Sequence, residues 1–265
     1  MHKKSQITLF IILGISLVLV FLFVFIFANN IKEVKTGQAF QAILTTSKEV
    51  TEIRSFLNSC LEDSTTSILN RIGNQGGVLF EDHPHPRVIR DSLTVPYFLF
   101  QNTLYLPTQK EIHDKIKTSL PVEFHKCISN NNFDDIGIIL IIPPANDMDT
   151  QVIINDNNVF VEIQTMIEIQ KDLYSTTLND FTFTTSIPLG TMMKKSIELI
   201  KFIQAVNTDP SNPAAFNLST MNFSPLKACF VQDKDKFIRF HQKNSSYAFI
   251  FALDGQVVGP CSIEE

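Results

Sequence analysis

The sequence predicts an α+β fold: an N-terminal transmembrane helix runs into a long helix, and a mostly antiparallel sheet with two or three further helices follows. Three observations predict it. Residues 7–28 are an unbroken apolar run, and no proline interrupts residues 29–72. Beyond them, short apolar stretches bounded by turn residues alternate with two amphipathic segments. This order is typical of α+β domains.

The apolar run is long enough to cross a membrane. At about 1.5 Å rise per residue, a helix over residues 7–28 is about 33 Å long, and a bilayer's hydrocarbon core is about 30 Å thick. Lys3 and Lys4 precede the run, and no comparable basic cluster directly follows Ala28. Positive charge stays on the cytoplasmic side. We therefore expect a single-pass protein of the cell membrane, with a cytoplasmic N-terminus, lipid contacts through residues 7–28 and the remaining domain outside.

Lys3-Lys4-Ser5-Gln6, directly before the run, resembles the class III signal peptide of archaeal type IV pilins. The resemblance implies cleavage between Ser5 and Gln6, which leaves the apolar helix on the mature protein. Many such pilins have Glu at the fifth mature position, where this chain has Phe10. That departure favours a minor subunit or a non-polymerising anchored protein. An ordinary uncleaved signal-anchor remains an alternative, and the length of the run disfavours a cleaved secretory signal.

The charge of the chain disfavours some partners. Lys3 and Lys4 belong to the anchor end, so 20 of the 22 basic residues remain beyond it, against 27 acidic residues, a net charge of −7. A mildly acidic domain is a poor match for nucleic acid or anionic lipid. We expect no nucleic-acid partner.

The four cysteines, Cys60, Cys127, Cys229 and Cys261, all follow the apolar run. An even number in an extracytoplasmic domain predicts disulfides. They are far apart and form no Cys-x-x-Cys motif, which disfavours a zinc site. Of the three pairings, Cys60–Cys127 with Cys229–Cys261 is favoured because each pair falls within one half of the chain. Reduced, buried cysteines remain the alternative.

Helix signals occur at three places. Apolar residues recur at helical spacing from residue 31 to Ile72, which predicts one long helix or two helices joined near residues 45–47. The glycine-rich stretch 73–77 ends this helical region. Thr108 and Glu111 form a capping box for a second helix, which Pro121 either kinks or extends by a further turn to Cys127. Residues 191–206 are amphipathic, with Met193, Ile197, Ile200 and Ile203 or Phe202 facing inward.

Strand patterns fill the remaining chain. We expect strands at residues 78–80, 95–100, 104–106, 137–142, 152–154, 159–169, 181–187, 236–241 and 247–253. The organisation that follows is a basic leader (1–6), a transmembrane helix (7–28), a helical region (29–77), an α+β domain (78–206) and a C-terminal loop with a hairpin (207–265).

Several short stretches occur in one order: Phe56-Leu57-Asn58-Ser59-Cys60-Leu61, Gly73-Asn74-Gln75-Gly76-Gly77, Val95-Pro96-Tyr97, Pro107-Thr108 and Cys127. Together with the Lys-Lys-small-Gln anchor, this order resembles an uncharacterised family of membrane-anchored proteins from small-genome archaea. The similarity spans about half of the chain. It implies an archaeal origin and a Cys60–Cys127 disulfide, and it implies no activity.

Candidate chemistry is sparse. His83 and His85 alternate in an extended loop, where successive side chains point to opposite sides, so an exposed rigid loop is favoured over a metal site. His113 and His125 lie on either side of Pro121. For the acids Asp134-Asp135 and Asp147/Asp149 we expect solvated turns rather than a calcium site, because the EF-hand pattern is missing. Three sequons begin at Asn217, Asn222 and Asn244.

The chain has no hydrolase, phosphate-binding or dinucleotide-binding motif. We therefore expect a non-enzymatic surface protein without cofactor or resident metal, whose partners are other envelope or pilin-like proteins. The alternative is an anchored extracytoplasmic binding module or hydrolase whose site assembles from scattered residues.

Overall fold

The computed structural model describes residues 47–79, 86–90, 93–131, 133, 136–172, 174–208, 223–224, 226–232, 236–242 and 246–254. The chain divides into two compact units, Met1–Ser55 and Phe56–Glu265. The described part of the first unit, residues 47–55, is helical and carries an exposed ion pair between Lys48 and Glu52 at 3.7 Å. The residues that the structure describes form an α+β fold with three α-helices and mostly antiparallel strands, as the sequence predicts.

The elements follow each other in mixed order. The described helices are α1 (47–74), α2 (Gln109–Ser129) and α3 (Leu189–Thr208). The described strands are β1 (Arg87–Arg90), β2 (Leu93–Phe100), β3 (Thr103–Leu104), β4 (Ile139–Ile141), β5 (Asp149–Ile154), β6 (Val159–Gln164), β7 (Ile167–Lys171), β8 (Tyr174–Leu178), β9 (Phe181–Thr185), β10 (Leu226–Gln232), β11 (Lys236–Gln242) and β12 (Ala248–Leu253).

The described strands form three sheets. The large sheet has the order β1-β2-β12-β11-β10, with β3 beside β2, and the two small sheets are β4-β7-β8 and β5-β6-β9. Within the described residues every pairing is antiparallel except that of β2 with β12. The predicted C-terminal hairpin therefore exists as β11 and β12, and it shares a sheet with β1 and β2.

The second helix begins where the capping box predicts. The Thr108 hydroxyl accepts from the Glu111 amide at 3.1 Å, and the Thr108 amide donates to the Glu111 carboxylate at 2.6 Å. These two bonds satisfy amides that a helix start leaves free. Helix α2 continues through Pro121 to Ser129, so Pro121 lies inside one helix. The buried side of α2 consists of Ile112, Ile116, Leu120, Pro121, Phe124 and Ile128.

Helix α1 ends at the predicted glycine-rich stretch. Gly76 and Gly77 have positive φ angles of 55° and 85°, a conformation that residues with a side chain rarely adopt. The Gly77 amide donates to the Ile72 carbonyl at 2.7 Å. A Cβ on Gly77 would lie 2.6 Å from Cδ1 of Ile112, so the missing side chain also lets the chain pass beside α2.

An aromatic cluster lies on one face of the large sheet. Phe98 of β2 and Phe251 of β12 stack with ring centroids 4.4 Å apart, and Phe240 and Phe249 pack against Phe251. All four rings are fully buried. A Cβ on Gly76 would lie 3.2 Å from the Phe98 ring, which places the end of α1 on this face.

The strand boundaries differ from the sequence prediction at several places. The arm expected at residues 159–169 divides at residues 165–166, and β6 and β7 belong to different sheets. The strand expected at 137–142 is only three residues long, and the described residues 78–79 lie outside any strand. Strands β1, β8 and β10 lie outside the ranges that the sequence pattern predicts. In α3 the inward position is taken by Ile203, whereas Phe202 is 44% exposed.

One buried hydroxyl gives a stability prediction. Thr150 of β5 is 1% exposed, and its Oγ1 has no hydrogen-bond partner in the described part of the chain. Valine has the same shape and buries no hydroxyl, so T150V should raise the free energy of unfolding by about 1 kcal/mol, measured by urea unfolding. The matched control is T65V, because buried Thr65 donates to the Leu61 carbonyl at 2.7 Å. A T150V variant no more stable than T65V would contradict this assignment.

Candidate functional site

The cysteine pair Cys60–Cys127 is a disulfide, as predicted. Cys60 lies on α1 and Cys127 near the end of α2, with Cα atoms 5.7 Å apart. Cys60 is 1% exposed, so the bond is sheltered from solvent on the α1 side. An ion pair between Arg71 and Glu123, at 3.3 Å, is a second link between the same two helices. The helices that flank the first β segment are therefore joined both covalently and electrostatically.

The second predicted pair lies mostly outside the described residues. Cys229 is part of β10, opposite Arg239 of β11, and Cys261 lies outside the described residues. The pairing of Cys229 with Cys261 remains a prediction. The sequons at Asn217, Asn222 and Asn244 and the acids Asp134 and Asp135 also lie outside the described residues.

The expected processing site and anchor lie outside the described residues as well. They comprise Lys3, Lys4, Ser5 and Gln6 and the apolar run 7–28. Among the residues that the structure describes, no helix combines the length and apolar character needed to cross a membrane.

The histidines do not form one site in the described part of the chain. His83 and His85 lie outside it. His113 Nδ1 lies 2.9 Å from Asp114 Oδ1, whereas His125 Nδ1 lies 3.3 Å from the Ser129 hydroxyl. Across the described ranges, no group of three or more His, Cys, Asp or Glu residues could hold a metal ion.

The acids of α2 are engaged in local ion pairs. Asp114 accepts from Lys110 at 2.7 Å, and the hydrogen bonds from Lys110 and then from His113 lower the pKa of the Asp114 carboxyl. Glu111 closes the capping box. Asp149 pairs with Lys117 at 3.9 Å. Asp147 belongs to a short 3₁₀ turn. Asp114 and Asp149 thus form surface ion pairs, and Glu111 caps the start of α2.

A shallow groove of about 240 Å³ runs beside the start of α2. It lies between the chain segment that follows α1 and one side of α2, and it is lined by Gly77, Val78, Leu79, Pro107, Glu111, Asp114, Lys115 and Thr118. The carboxylates of Glu111 and Asp114 already accept hydrogen bonds from Thr108 and Lys110. Apolar patches and the side chain of Lys115 therefore remain for contact with a ligand.

Strand β4 carries an exposed apolar strip that the sequence pattern did not reveal. Ile139 and Ile141 are 57% and 46% exposed. They stand opposite Gln170 and Glu168 of β7. Glu168 accepts from Gln170 at 2.9 Å and from the Ser175 hydroxyl at 2.6 Å, and these bonds lower the pKa of its carboxyl. The strip therefore consists of two exposed isoleucines, and the polar side chains of Glu168 and Gln170 on the neighbouring strand border it.

Sequence reasoning could identify residues 137–142 as apolar but not which of them face water. Every residue from Ile138 to Ile142 is aliphatic, so no alternation marks the exposed side. Only the pairing of β4 with β7 assigns Ile139 and Ile141 to the polar face.

Comparison of the chain with protein-family models, with curated proteins and with solved structures gave no match.

Proposed function

We propose that this chain is a single-pass membrane-anchored extracytoplasmic protein that acts through protein contacts in the cell envelope. It functions as a minor type IV pilin-like subunit or as a non-polymerising relative of one. The Cys60–Cys127 disulfide carries the proposal. Stable disulfides form in oxidising compartments outside the cytoplasm. A disulfide-bonded domain that follows an apolar run with a basic flank is consistent with an anchored domain on the outer side.

The exposed strip on β4 supports a contact role. Exposed aliphatic side chains on a short edge strand are typical of surfaces that meet other proteins.

The alternative is an anchored binding module, and the groove beside α2 favours it. A concave surface with apolar patches and a few polar groups is the usual form of a ligand site. Its volume of about 240 Å³ is below the range of about 300–1,000 Å³ typical of sites for drug-sized ligands. A groove of this size suits a small ligand or a single side chain of a partner.

Mass spectrometry of the native N-terminus tests the pilin-like part of the proposal. If a prepilin-type peptidase acts, the mature chain starts at Gln6, and S5W blocks cleavage because a bulky residue replaces the small one before the cut. Membrane insertion remains, since the run 7–28 is untouched. The matched control is S16W, which places the same side chain inside the run and should leave cleavage intact.

The contradicting outcome is an intact N-terminus. Recovery of Met1 from cells that process other pilins would leave only the uncleaved anchor. Electron microscopy separates the two pilin-like roles, because Phe10 in place of Glu predicts no filaments built mainly of this chain. Filaments of this protein alone would show that it is a major subunit.

A further inference from the structure

The two cysteines of the described disulfide differ in their access to solvent. Cys60 is 1% exposed, and its neighbours on α1, Leu57 and Leu61, are fully buried. Cys127 is only partly buried, and Lys126 beside it on α2 is exposed. A reagent that comes from solvent therefore meets Cys127 before it meets Cys60.

The positions of the two cysteines in their helices favour the same one. Cys60 lies near the middle of α1 (47–74), whereas Cys127 lies in the last turn of α2, which ends at Ser129. The carbonyl groups of a last turn have no partner within the helix, and the Cys127 carbonyl accepts from the side-chain amide of Asn131 at 2.8 Å instead. Helix ends open locally at a lower free-energy cost than helix centres. Local opening of the folded chain therefore uncovers Cys127 more readily than Cys60.

We propose that, in the folded chain, this disulfide is broken and re-formed through Cys127, which is the site of attack for a dithiol–disulfide oxidoreductase. Cys60 stays buried and forms no bond with that partner. The presence of such an enzyme rests on the proposed extracytoplasmic location. The choice of sulfur rests on burial and helix position alone.

The steps are those of thiol–disulfide exchange. A thiolate of the partner attacks Sγ of Cys127, a bond forms between these two sulfurs, and the bond from Cys127 to Cys60 breaks. Cys60 leaves with the electron pair of the broken bond and takes up a proton. The second thiolate of the partner then attacks the partner's own sulfur in the mixed disulfide, and Cys127 leaves and takes up a proton. The partner dithiol is oxidised by two electrons, and the cysteine pair is reduced by the same two. Re-formation of the bond is the reverse sequence.

Two other contacts keep the cysteines close together while the bond is open. Phe56 of α1 packs edge-on against Phe133 with ring centroids 5.1 Å apart, and Arg71 of α1 pairs with Glu123 of α2 at 3.3 Å. These contacts lie on either side of the disulfide along the chain. The buried thiol therefore stays within reach of its partner cysteine and can displace an oxidoreductase from it.

Two single variants of the full chain, purified in detergent, test the choice of sulfur. C60A leaves the thiol of Cys127, and C127A leaves the thiol of Cys60. Each variant is treated with glutathione disulfide, and the peptides that contain the remaining cysteine are quantified by mass spectrometry. Because attack on Cys60 requires a larger opening of the fold, Cys127 should react at least about tenfold faster under native conditions. In urea the two rates should be equal. Equal native rates, or a faster reaction at Cys60, would overturn the proposal.

A second measurement avoids the substitutions, in case C127A loosens the packing of α1 on α2. The unaltered full chain is reduced with a phosphine under native conditions and then alkylated with iodoacetamide, a modification that is not reversed by exchange. Cys127 should be alkylated well before Cys60, while circular dichroism shows that the helices are retained. Simultaneous alkylation of both cysteines would overturn the proposal. These rates are properties of the purified chain, so they test the exchange site independently of the extracytoplasmic location.

Discussion

Replacing both cysteines of the described disulfide, C60A with C127A, is expected to lower the free energy of unfolding by about 4 kcal/mol. The bond closes a loop with a sequence separation of 67, and such a cross-link removes conformational entropy from the unfolded chain. In the chain-entropy model a loop of this size contributes about 4 kcal/mol. Urea unfolding of the protein in detergent, followed by circular dichroism, measures the loss.

The control is the other link between the same helices. E123A removes the ion pair with Arg71, which is partly exposed. Such pairs contribute about 0–1 kcal/mol. A loss in the double cysteine variant no larger than that of E123A would show that non-covalent packing of α1 on α2 already holds the helices, and the bond would have no stabilising role.

The second large effect is expected at the aromatic cluster. F251A should lower the free energy of unfolding by about 3–5 kcal/mol, the usual cost of truncating a buried phenylalanine. Phe251 stacks on Phe98 at 4.4 Å and contacts Phe240 and Phe249, so its removal leaves a cavity that three rings border. Thermal or urea unfolding measures the change.

The matched control is F202A, which removes the same ring from the surface of α3. Phe202 is 44% exposed, so its truncation should cost less than about 1 kcal/mol. Equal losses for F251A and F202A would contradict the assignment of the cluster as the core of the large sheet.

The helices could be predicted from the sequence because their end signals are local. The capping box at Thr108 and Glu111 needs only four consecutive residues, and the structure contains both of its hydrogen bonds. The stop after α1 depends on Gly76 and Gly77, whose positive φ angles are a property of the residue type. The effect of Pro121 depends on packing, which is not local. Buried neighbours such as Leu120 and Phe124 keep α2 continuous through it.

The sheets could be predicted only in part because pairing is not local. Val159, Val161 and Ile163 face inward in β6, and Ile167 and Ile169 continue the same alternation in β7. The alternation of apolar and polar residues continues from β6 to β7, so it cannot indicate that these two strands belong to different sheets. Strand β8 is mostly polar, with the sequence Tyr-Ser-Thr-Thr-Leu. Its place is set by pairing with β7 rather than by its own composition.

The candidate sites could likewise be predicted where the signal is local and could not be predicted where it depends on strand pairing. The pairing of Cys60 with Cys127 could be favoured from position in the chain and from the family resemblance, and the structure confirms it. The exposed Ile139 and Ile141 could not be identified, because their side is fixed by the register with β7. The buried cluster of Val95, Phe237 and Ala252 likewise needs β2 and β12 to lie side by side, a parallel contact between residues far apart in the chain.

The central proposal is that the domain beyond residue 28 lies on the outer side of the cell membrane. It is tested most directly by labelling lysines of intact cells with a membrane-impermeant amine reagent. Lys110 is the probe, because its side chain is 85% exposed. The account predicts that Lys110 is modified on intact cells to the same extent as after lysis. Protection of Lys110 until lysis would contradict the account.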